Sequence, residues 1–444
     1  MSNPTTGRRL ASLLVVLCLI GAPALVLRMF CVGSSCDDEA ASAAPVPFCP
    51  LPSDLRRLIV AGFRAGRSPD VMATSGDTAS GDTAVVSGAP GLLVGWPWMG
   101  ASPSGAVPLA FSGPGVPAGS LPPDVGLEDV APTLAALVGF VPPHPEVRGG
   151  RPIPGLRSPA SGAAPLAVEI VWKGVGAREL GGRWPPATQA LIGDGASSLG
   201  ATVGSLPADP AAILTTIGTG GLPSQHGITG TVLRADQGGV ADAWAQDAPE
   251  SVIATLPDEL DHAFDGRAQV GLVATDATDR GLIGDGWYLG SDRDRMIVSA
   301  ADPVHAVERL MDDGYGADGA PDILGIVLRG PLRTLDGRTA AIIGAVRHEV
   351  PRAVVVVTAT GTPSAGGDPV GAGGVARAVD RSMGADVIEA DAAGGFFLDA
   401  EALAETGRSA DAVVQALARE IGPDGAPLFS DVYPGFSVAF DRYC

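Results

Sequence analysis

Short apolar runs rich in β-branched residues are the feature that most restricts how this chain can fold. The clearest run spans Val354 to Val357 and has no alternation of polar and apolar positions. Runs of this kind are typical of strands buried on both faces, as in a parallel sheet covered by helices on each side. Strands are predicted at Leu166–Trp172, Val270–Ala274, Ile323–Leu328 and Ala353–Thr358.

Helical segments separate these apolar runs. Helices are predicted at Pro186–Ile192, Pro257–Phe264, Pro303–Met311, Gly337–His348 and Asp411–Ile421. Strands that alternate with helices predict a doubly wound α/β fold built on a mostly parallel sheet. The chain has 444 residues, which is enough to bury a large core.

The charge balance restricts the class of partner. The chain carries 49 acidic and 29 basic side chains, a formal net charge of -20. A nucleic-acid surface needs an excess of Lys and Arg to neutralise phosphates, and anionic lipid surfaces attract basic segments. The charge balance therefore argues against nucleic acid as a partner and against electrostatic adsorption to an anionic membrane surface. Lys173 is the only lysine, and every other permanent side-chain cation is arginine.

An uncharged apolar run of 18 residues extends from Leu10 to Leu27. As a helix it is about 27 Å long, just enough to cross a bilayer core. Arginines precede the run and acidic residues follow it, which predicts cytoplasmic residues 1–9, a transmembrane signal anchor over 10–27 and a tether over 28–49. The predicted location is the cell membrane, single-pass, with an extracytoplasmic domain. The alternative is secretion after signal cleavage near Ala22–Ala24.

Four cysteines follow the apolar run and form an even set. They are Cys31, Cys36, Cys49 and Cys444. Exported cysteines are commonly paired, so Cys31 with Cys36 and Cys49 with Cys444 are candidate disulfides. Unpaired thiols are the alternative.

Four motifs are distributed over the chain after residue 50. Residues 66–71 read GRSPDV, residues 107–116 read VPLAFSGPGV, residues 128–139 read EDVAPTLAALVG and residues 214–228 read LTTIGTGGLPSQHGI. Together they resemble the alkaline phosphatase superfamily, in particular its type I phosphodiesterase and nucleotide pyrophosphatase branch. The resemblance implies an α/β fold of that type, a threonine or serine nucleophile and two divalent metal ions.

The order of the two halves differs from that of the family. There the half with the nucleophile comes first, whereas here residues 50–156, with the late EDVAPTLAALVG motif, precede residues 166–444. The resemblance thus implies a circular permutation in which residues 157–165 form a flexible linker between the old ends. The new ends would lie at Cys49 and Cys444. Because domain ends often lie close together, the resemblance favours a Cys49–Cys444 disulfide.

The positions that carry the family's chemistry hold other residues here. The resemblance places the first metal ligand at Lys173, whose ammonium has no lone pair for a metal. The nucleophile position falls on Pro210, directly after Asp209, and neither side chain is a hydroxyl. Later ligand positions fall on Thr360 and near Met99. The resemblance therefore implies a vestigial pocket with no catalytic residue, no metal and no other cofactor.

These departures lead us to expect a binding or scaffolding protein of the cell envelope. Its expected partner is an envelope protein or an anionic ligand, with attachment to the membrane through the N-terminal helix. The alternative is an active metal-dependent phosphodiesterase or phosphatase with relocated ligands. Those ligands would hold two divalent, zinc-like ions and would include Asp276, Asp279 or Asp322.

Several polar side chains allow more than one interpretation. Lys173 is either a substitute cation that neutralises nearby carboxylates or binds an anion, or a salt-bridged lysine without a role. Asp276 and Asp279 follow a predicted strand and are interpreted as solvated loop carboxylates rather than as a site. His226 is predicted to be a structural turn residue. Solvated side chains are predicted at His262, His305 and His348.

Overall fold

Alternating strands and helices fill most of the chain in a computed structural model, which describes residues 47–77, 82–89, 92–95, 106–288, 294–361, 372–421, 425 and 427–444. Residues Val46–Cys444 form one compact unit. The strands are β1 (Val71–Asp77), β2 (Asp82–Ala89), β3 (Leu92–Gly95), β4 (Ala106–Ser112), β5 (Gly119–Ser120), β6 (Leu166–Trp172), β7 (Ala196–Thr202), β8 (Val232–Arg234), β9 (Val240–Asp242), β10 (Val270–Ala274), β11 (Arg295–Val298), β12 (Asp322–Leu328), β13 (Val354–Ala359), β14 (Ile388–Ala392), β15 (Gly395–Leu398) and β16 (Asp431–Pro434).

The helices lie mainly between these strands. The α-helices are α1 (Ser53–Gly62), α2 (Val130–Leu137), α3 (Pro186–Ile192), α4 (Pro210–Thr219), α5 (Pro223–His226), α6 (Leu256–Ala263), α7 (Pro303–Asp312), α8 (Leu332–Glu349), α9 (Ala372–Met383), α10 (Ala400–Glu405) and α11 (Ala410–Leu417). Short 3-10 helices occur at Leu127–Asp129, Pro145–Val147, Ala277–Leu282 and Gly435–Tyr443.

The largest sheet has eight strands in the order β11-β10-β12-β6-β13-β4-β7-β5. Strands β11, β10, β12, β6 and β13 are parallel to one another, and β4 runs opposite to its neighbours β13 and β7. All four predicted strands lie in this sheet with ends correct to within one residue. The predicted α/β class with a mostly parallel sheet is confirmed.

Helices cover both faces of the eight-stranded sheet. Side chains of α7 and α8 pack on one face, and side chains of α1, α2, α4 and α6 pack on the other. Within β6, Val168 and Ile170 pack on the side of α7 and α8. Ala167 and Val171 pack on the side of α1, α2, α4 and α6, as the two-residue period of a strand requires. This two-sided burial explains why the strands are almost entirely apolar.

A second, antiparallel sheet was not predicted from the sequence. Its strands follow the order β14-β15-β1-β2-β3, and β16 pairs with β1. Side chains from α9, α10 and α11 cover it and form a separate core with Val71 and Phe396. The strands of this sheet come from both predicted halves of the chain, since β1 precedes the 157–165 segment and β14 to β16 follow it.

The segment 157–165 lies against the body of the molecule. The amide of Ser158 donates to the carbonyl of Ala136 at 2.9 Å, and the amide of Ala164 donates to the carbonyl of Leu137 at 3.2 Å. The blocks on either side of this segment also share the eight-stranded sheet, where β4 pairs with β13. The two blocks are therefore parts of one structural unit.

The two ends of the described chain meet. Cys49 and Cys444 form a disulfide with a Cα–Cα distance of 5.1 Å, the pairing that the resemblance favours. Arg56 donates to Asp441 at 2.8 Å beside it, and the rings of Phe48 and Tyr433 lie 5.3 Å apart. Cys31 and Cys36 lie outside the described residues.

The predicted single-pass membrane location is contradicted. Among the described residues, no helix combines the length and the apolar character that crossing a bilayer requires. The longest described helix, α8, has 18 residues but carries charged side chains such as Arg333 and Asp336. The apolar run Leu10–Leu27, on which the predictions of a transmembrane helix and of signal cleavage were based, lies outside the described residues.

Candidate functional site

Lys173 lies at the carboxyl edge of the large sheet, directly after β6. Its amide donates to the carbonyl of Leu328 at the end of β12, at 2.8 Å. Gly174 follows with a φ of +81°, a left-handed conformation that suits glycine and turns the chain away from the sheet. The side chain of Lys173 is therefore held where the ends of several parallel strands converge.

The ammonium group of Lys173 contacts two carboxylates from the loop after β10. Its Nζ lies 2.8 Å from Oδ2 of Asp276 and 2.6 Å from Oδ1 of Asp279. The exposed fraction of the side chain is 6% for Lys173, 45% for Asp276 and 0% for Asp279. We refer to Lys173, Asp276 and Asp279 as the carboxyl-edge cluster. The interpretation of Asp279 as a solvated loop residue is wrong, because this carboxylate is fully buried.

The loop itself supplies the remaining hydrogen bonds of these carboxylates. Oδ2 of Asp279 accepts from the amide and the hydroxyl of Thr275, at 2.7 and 2.6 Å, and Oδ1 of Asp276 accepts from the amide of Thr278 at 3.0 Å. Burial acts to raise the pKa of Asp276, but hydrogen bonds from Lys173 and Thr278 and the charge of Lys173 outweigh it, so this pKa is lowered. The carboxylate of Asp276 is thus stabilised in its charged form.

The nucleophile position that the resemblance indicates lies at the start of α4. Pro210 is the first residue of this helix, and Asp209 caps it by accepting from the amide of Ala211 at 2.8 Å. Oδ1 of Asp209 also accepts from the hydroxyl of Thr231 at 2.9 Å. Burial is the main reason that the pKa of Asp209 is raised. These contacts give Asp209 a structural role as a helix cap.

Thr360 lies next to the carboxyl-edge cluster, at the end of β13. Its hydroxyl accepts from the amide of Gly174 at 2.9 Å, and its own amide donates to the carbonyl of Trp172 at 3.1 Å. The structure therefore brings Thr360 and Lys173 to adjacent strand ends. Met99 lies outside the described residues.

The aspartates that could form a relocated metal site do not lie together in the structure. Asp322 begins β12, whereas Asp276 and Asp279 follow the carboxyl end of the parallel strand β10. A seven-residue strand is about 20 Å long, so Asp322 lies at the opposite edge of the sheet. Burial raises the pKa of Asp322 to about 6. In the part of the chain that the structure describes, no group of three or more His, Cys, Asp or Glu is arranged to hold a metal ion.

His226 is a structural residue, as predicted. Its Nδ1 accepts from the amide of Ile228 at 3.1 Å, which leaves the proton on Nε2 to donate to the hydroxyl of Thr216, also at 3.1 Å. Burial, with the positive charges of Arg64 and Arg67, lowers the pKa of His226 to about 3. The ring is therefore neutral and both nitrogens are used. His262 stacks on the ring of Tyr288 at 4.0 Å.

Sequence reasoning missed a buried acid in the middle of β6. Glu169 is 1% exposed, and its Oε2 has no hydrogen-bond partner among the described residues. Burial raises the pKa of this carboxyl to about 8, so it is mostly protonated at pH 7. The signal was present in the sequence, since Glu169 is the one charged residue within the apolar run Leu166–Trp172.

Chemically, the carboxyl-edge cluster is closed. A lysine ammonium can donate hydrogen bonds but cannot ligate a metal, and here it occupies one oxygen of each carboxylate. Neither Pro210 nor the capping Asp209 supplies a hydroxyl at the nucleophile position. The geometry is that of an ion-paired cluster in which one ammonium is shared by two carboxylates.

Comparisons with known proteins are sparse. No protein-family model matches the chain, and no curated protein matches it. Among solved structures, a phosphonoacetate hydrolase from Sinorhizobium meliloti in complex with phosphonoformate is similar at 15% sequence identity and a TM-score of 0.32. The match covers 63% of this chain and 82% of that chain. A likeness of this size carries no argument about the activity of this chain.

Proposed function

We propose that this chain is a non-catalytic binding or scaffolding protein with a domain of alkaline phosphatase type. The observation that carries the proposal is the contact of Lys173 with both Asp276 and Asp279 at the carboxyl edge of the sheet. That edge is where open α/β sheets bind their ligands. In this proposal the ammonium takes the place of the first metal ion.

The charge of the cluster favours a protein over an anionic ligand as the partner. Lys173 contributes one positive charge and the two carboxylates contribute two negative charges, so the cluster has no cation left to attract an anion. The half-exposed side chain of Asp276 is the part of the cluster that a partner can reach. We therefore propose a protein partner that docks over the carboxyl edge.

Circular permutation is part of the same proposal. It is supported by the adjacency of the two ends, which the Cys49–Cys444 disulfide joins. It is also supported by the pairing of β4 with β13, which unites the two blocks in one sheet. In the proposed arrangement the 157–165 segment spans the position where an unpermuted relative has its free ends.

The test is zinc binding and phosphodiester hydrolysis by the purified protein. After incubation with Zn²⁺ and desalting, we expect elemental analysis to find no bound equivalent and bis-nitrophenyl phosphate to be hydrolysed no faster than in buffer. About two equivalents of zinc together with turnover, as a two-metal hydrolase requires, would refute the proposal.

The variant Lys173→Asp replaces the cation by a third carboxylate and should gain zinc binding. Lys173→Met, which removes the charge without adding a ligand, is the matched control.

A further inference from the structure

An apolar cavity lies at the C-terminal end of α4. Its volume is about 820 Å³, and Thr219, the last residue of α4, contributes to its wall. Asp209 and Pro210 begin the same helix, which has ten residues and is therefore about 15 Å long. None of the three residues of the carboxyl-edge cluster lines the cavity, so the two are different sites.

Alkyl and aromatic side chains form most of the cavity wall. They come from α2, from the loop that follows it and from the start of α6, and they include Ala131, Ala136, Phe140, Val141, Pro142 and Leu256. Val141 is 85% exposed to solvent. The volume lies within the range of roughly 300 to 1,000 Å³ that is typical of ligand sites.

A buried arginine fixes the shape of the cavity. Arg148 and Glu259 form an ion pair at 2.8 Å, and their side chains are 6% and 5% exposed. The same guanidinium donates to the carbonyls of Thr219 at 2.8 Å and Pro143 at 2.9 Å. It therefore ties the loop after α2 to α4 and α6, so that the cavity exists before any ligand binds.

Of the two arginines that line the cavity, only one is ion-paired among the described residues. Arg148 is ion-paired with Glu259, and the exposed Glu146 is hydrogen-bonded to His144 at 3.1 Å, a contact that is an ion pair only when His144 is protonated. The amide of Arg151 donates to Asp129 at 2.8 Å, which fixes its backbone. Its side chain is exposed and has no hydrogen bond or ion pair with any residue that the structure describes.

We propose that this cavity binds a single-chain fatty acid. The alkyl chain would occupy the apolar interior, which it fills by the hydrophobic effect, and the carboxylate would accept hydrogen bonds from Arg151 at the wall. A planar guanidinium matches a carboxylate in both charge and shape. The pairing of an apolar cavity with one unpaired arginine is what selects an acid over a neutral lipid.

Calorimetric titration with laurate tests this proposal, with dodecanol as the uncharged probe of equal chain length. Laurate should bind the full chain with one equivalent. Arg151→Ala should weaken laurate about tenfold, as expected for a hydrogen bond to a charged group, and leave dodecanol within about twofold. Ala136→Trp, which fills the cavity, should abolish the binding of both. Arg333→Ala, at an exposed arginine on α8, is the matched control and should change neither.

Three outcomes would overturn the proposal. The first is a wild-type protein that shows no saturable laurate binding. The second is an Arg151→Ala variant that binds laurate as tightly as the wild type or weakens both probes equally. The third is laurate binding that survives Ala136→Trp. Because Arg151 is exposed, its variant should fold normally, and thermal unfolding checks this for every variant.

Discussion

Lys173 and Glu169 lie four residues apart at β6, and both are buried, but they differ in what surrounds them. Lys173 lies at the strand end and contacts two carboxylates at 2.6 and 2.8 Å. Glu169 lies within the strand, where its register neighbours are Gly325 on β12 and Val356 on β13. Its Oε2 has no partner in the described part of the chain, and burial raises its pKa to about 8.

This difference shows how position along a strand decides whether a buried group keeps its charge. At the strand end, loops from neighbouring strands can deliver opposite charges, as the Asp276–Asp279 loop does for Lys173. Within the sheet, the neighbouring backbones are fixed and their side chains are apolar, so nothing can compensate a charge there. Burying an ion without a partner is costly, and the group then takes its neutral form instead.

The largest expected effect follows from removing the cation. Lys173→Ala leaves the fully buried Asp279 without its counter-charge, which should lower the free energy of unfolding by about 3 to 5 kcal/mol. Urea unfolding at pH 7 measures it. The double variant Lys173→Ala with Asp279→Ala should lose less than the sum of the two single variants, because the interaction is already absent. A loss below about 1 kcal/mol for Lys173→Ala would contradict the pairing.

The next effect is a pH dependence that belongs to Glu169. The unfolded chain ionises this carboxyl near its ordinary pKa of 4.5, whereas the folded chain keeps it protonated up to about 8. Between these values the unfolded state binds fewer protons, so stability falls as pH rises, by about 1.4 kcal/mol per pH unit.

Glu169→Gln should remove the part of the pH dependence of the free energy of unfolding that Glu169 causes between pH 6 and 8. Some slope will remain, because burial also raises the pKa of Glu128 to about 7. Unfolding curves at pH 6, 7 and 8 give the slope, and the exposed Glu401→Gln is the matched control. If the slope of the Glu169→Gln variant equals that of the wild type, Glu169 is not the neutral buried group described above.

The smallest effects distinguish the two carboxylates of the cluster. Asp279→Asn should cost about 2 kcal/mol, because the side chain is fully buried and the amide has no charge and only one oxygen to accept from Lys173 and Thr275. Asp276→Asn should cost less than about 1 kcal/mol, because that side chain is 45% exposed to water. Thermal unfolding of the two variants side by side measures the difference. If the two variants lose the same stability, or if Asp276→Asn loses more, then burial does not decide which carboxylate contributes more to stability.

Much of the fold could be predicted from the sequence. The apolar runs, interrupted only by Glu169 in β6, gave β6 and β10 their correct ends, because two-sided burial favours apolar residues inside the strand. Helix α8 was predicted too short at its start, since Leu332–Asp336 contains charged residues that conceal its apolar face. The antiparallel sheet was missed because strands such as β14 and β16 are short and carry acidic residues.

The candidate site could be predicted only in part. The resemblance singled out Lys173, because the family's first metal ligand stands directly after the apolar strand that aligns with Leu166–Trp172. Its contact with Asp279 could not be predicted, since that loop follows β10, which is two strands away in the sheet order. Contacts of this kind depend on strand order, which local sequence patterns do not contain.

The Cys49–Cys444 bond changes how the domain carries mechanical load. It joins residues 395 positions apart and so converts the intervening chain into a covalent ring. A pulling force applied at residue 47 and at residue 444 would pass through the sulfur–sulfur bond and leave the β-sheets unstretched. After reduction the same force would reach α1 and the Gly435–Tyr443 helix first, where Arg56 and Asp441 would be the next attachment.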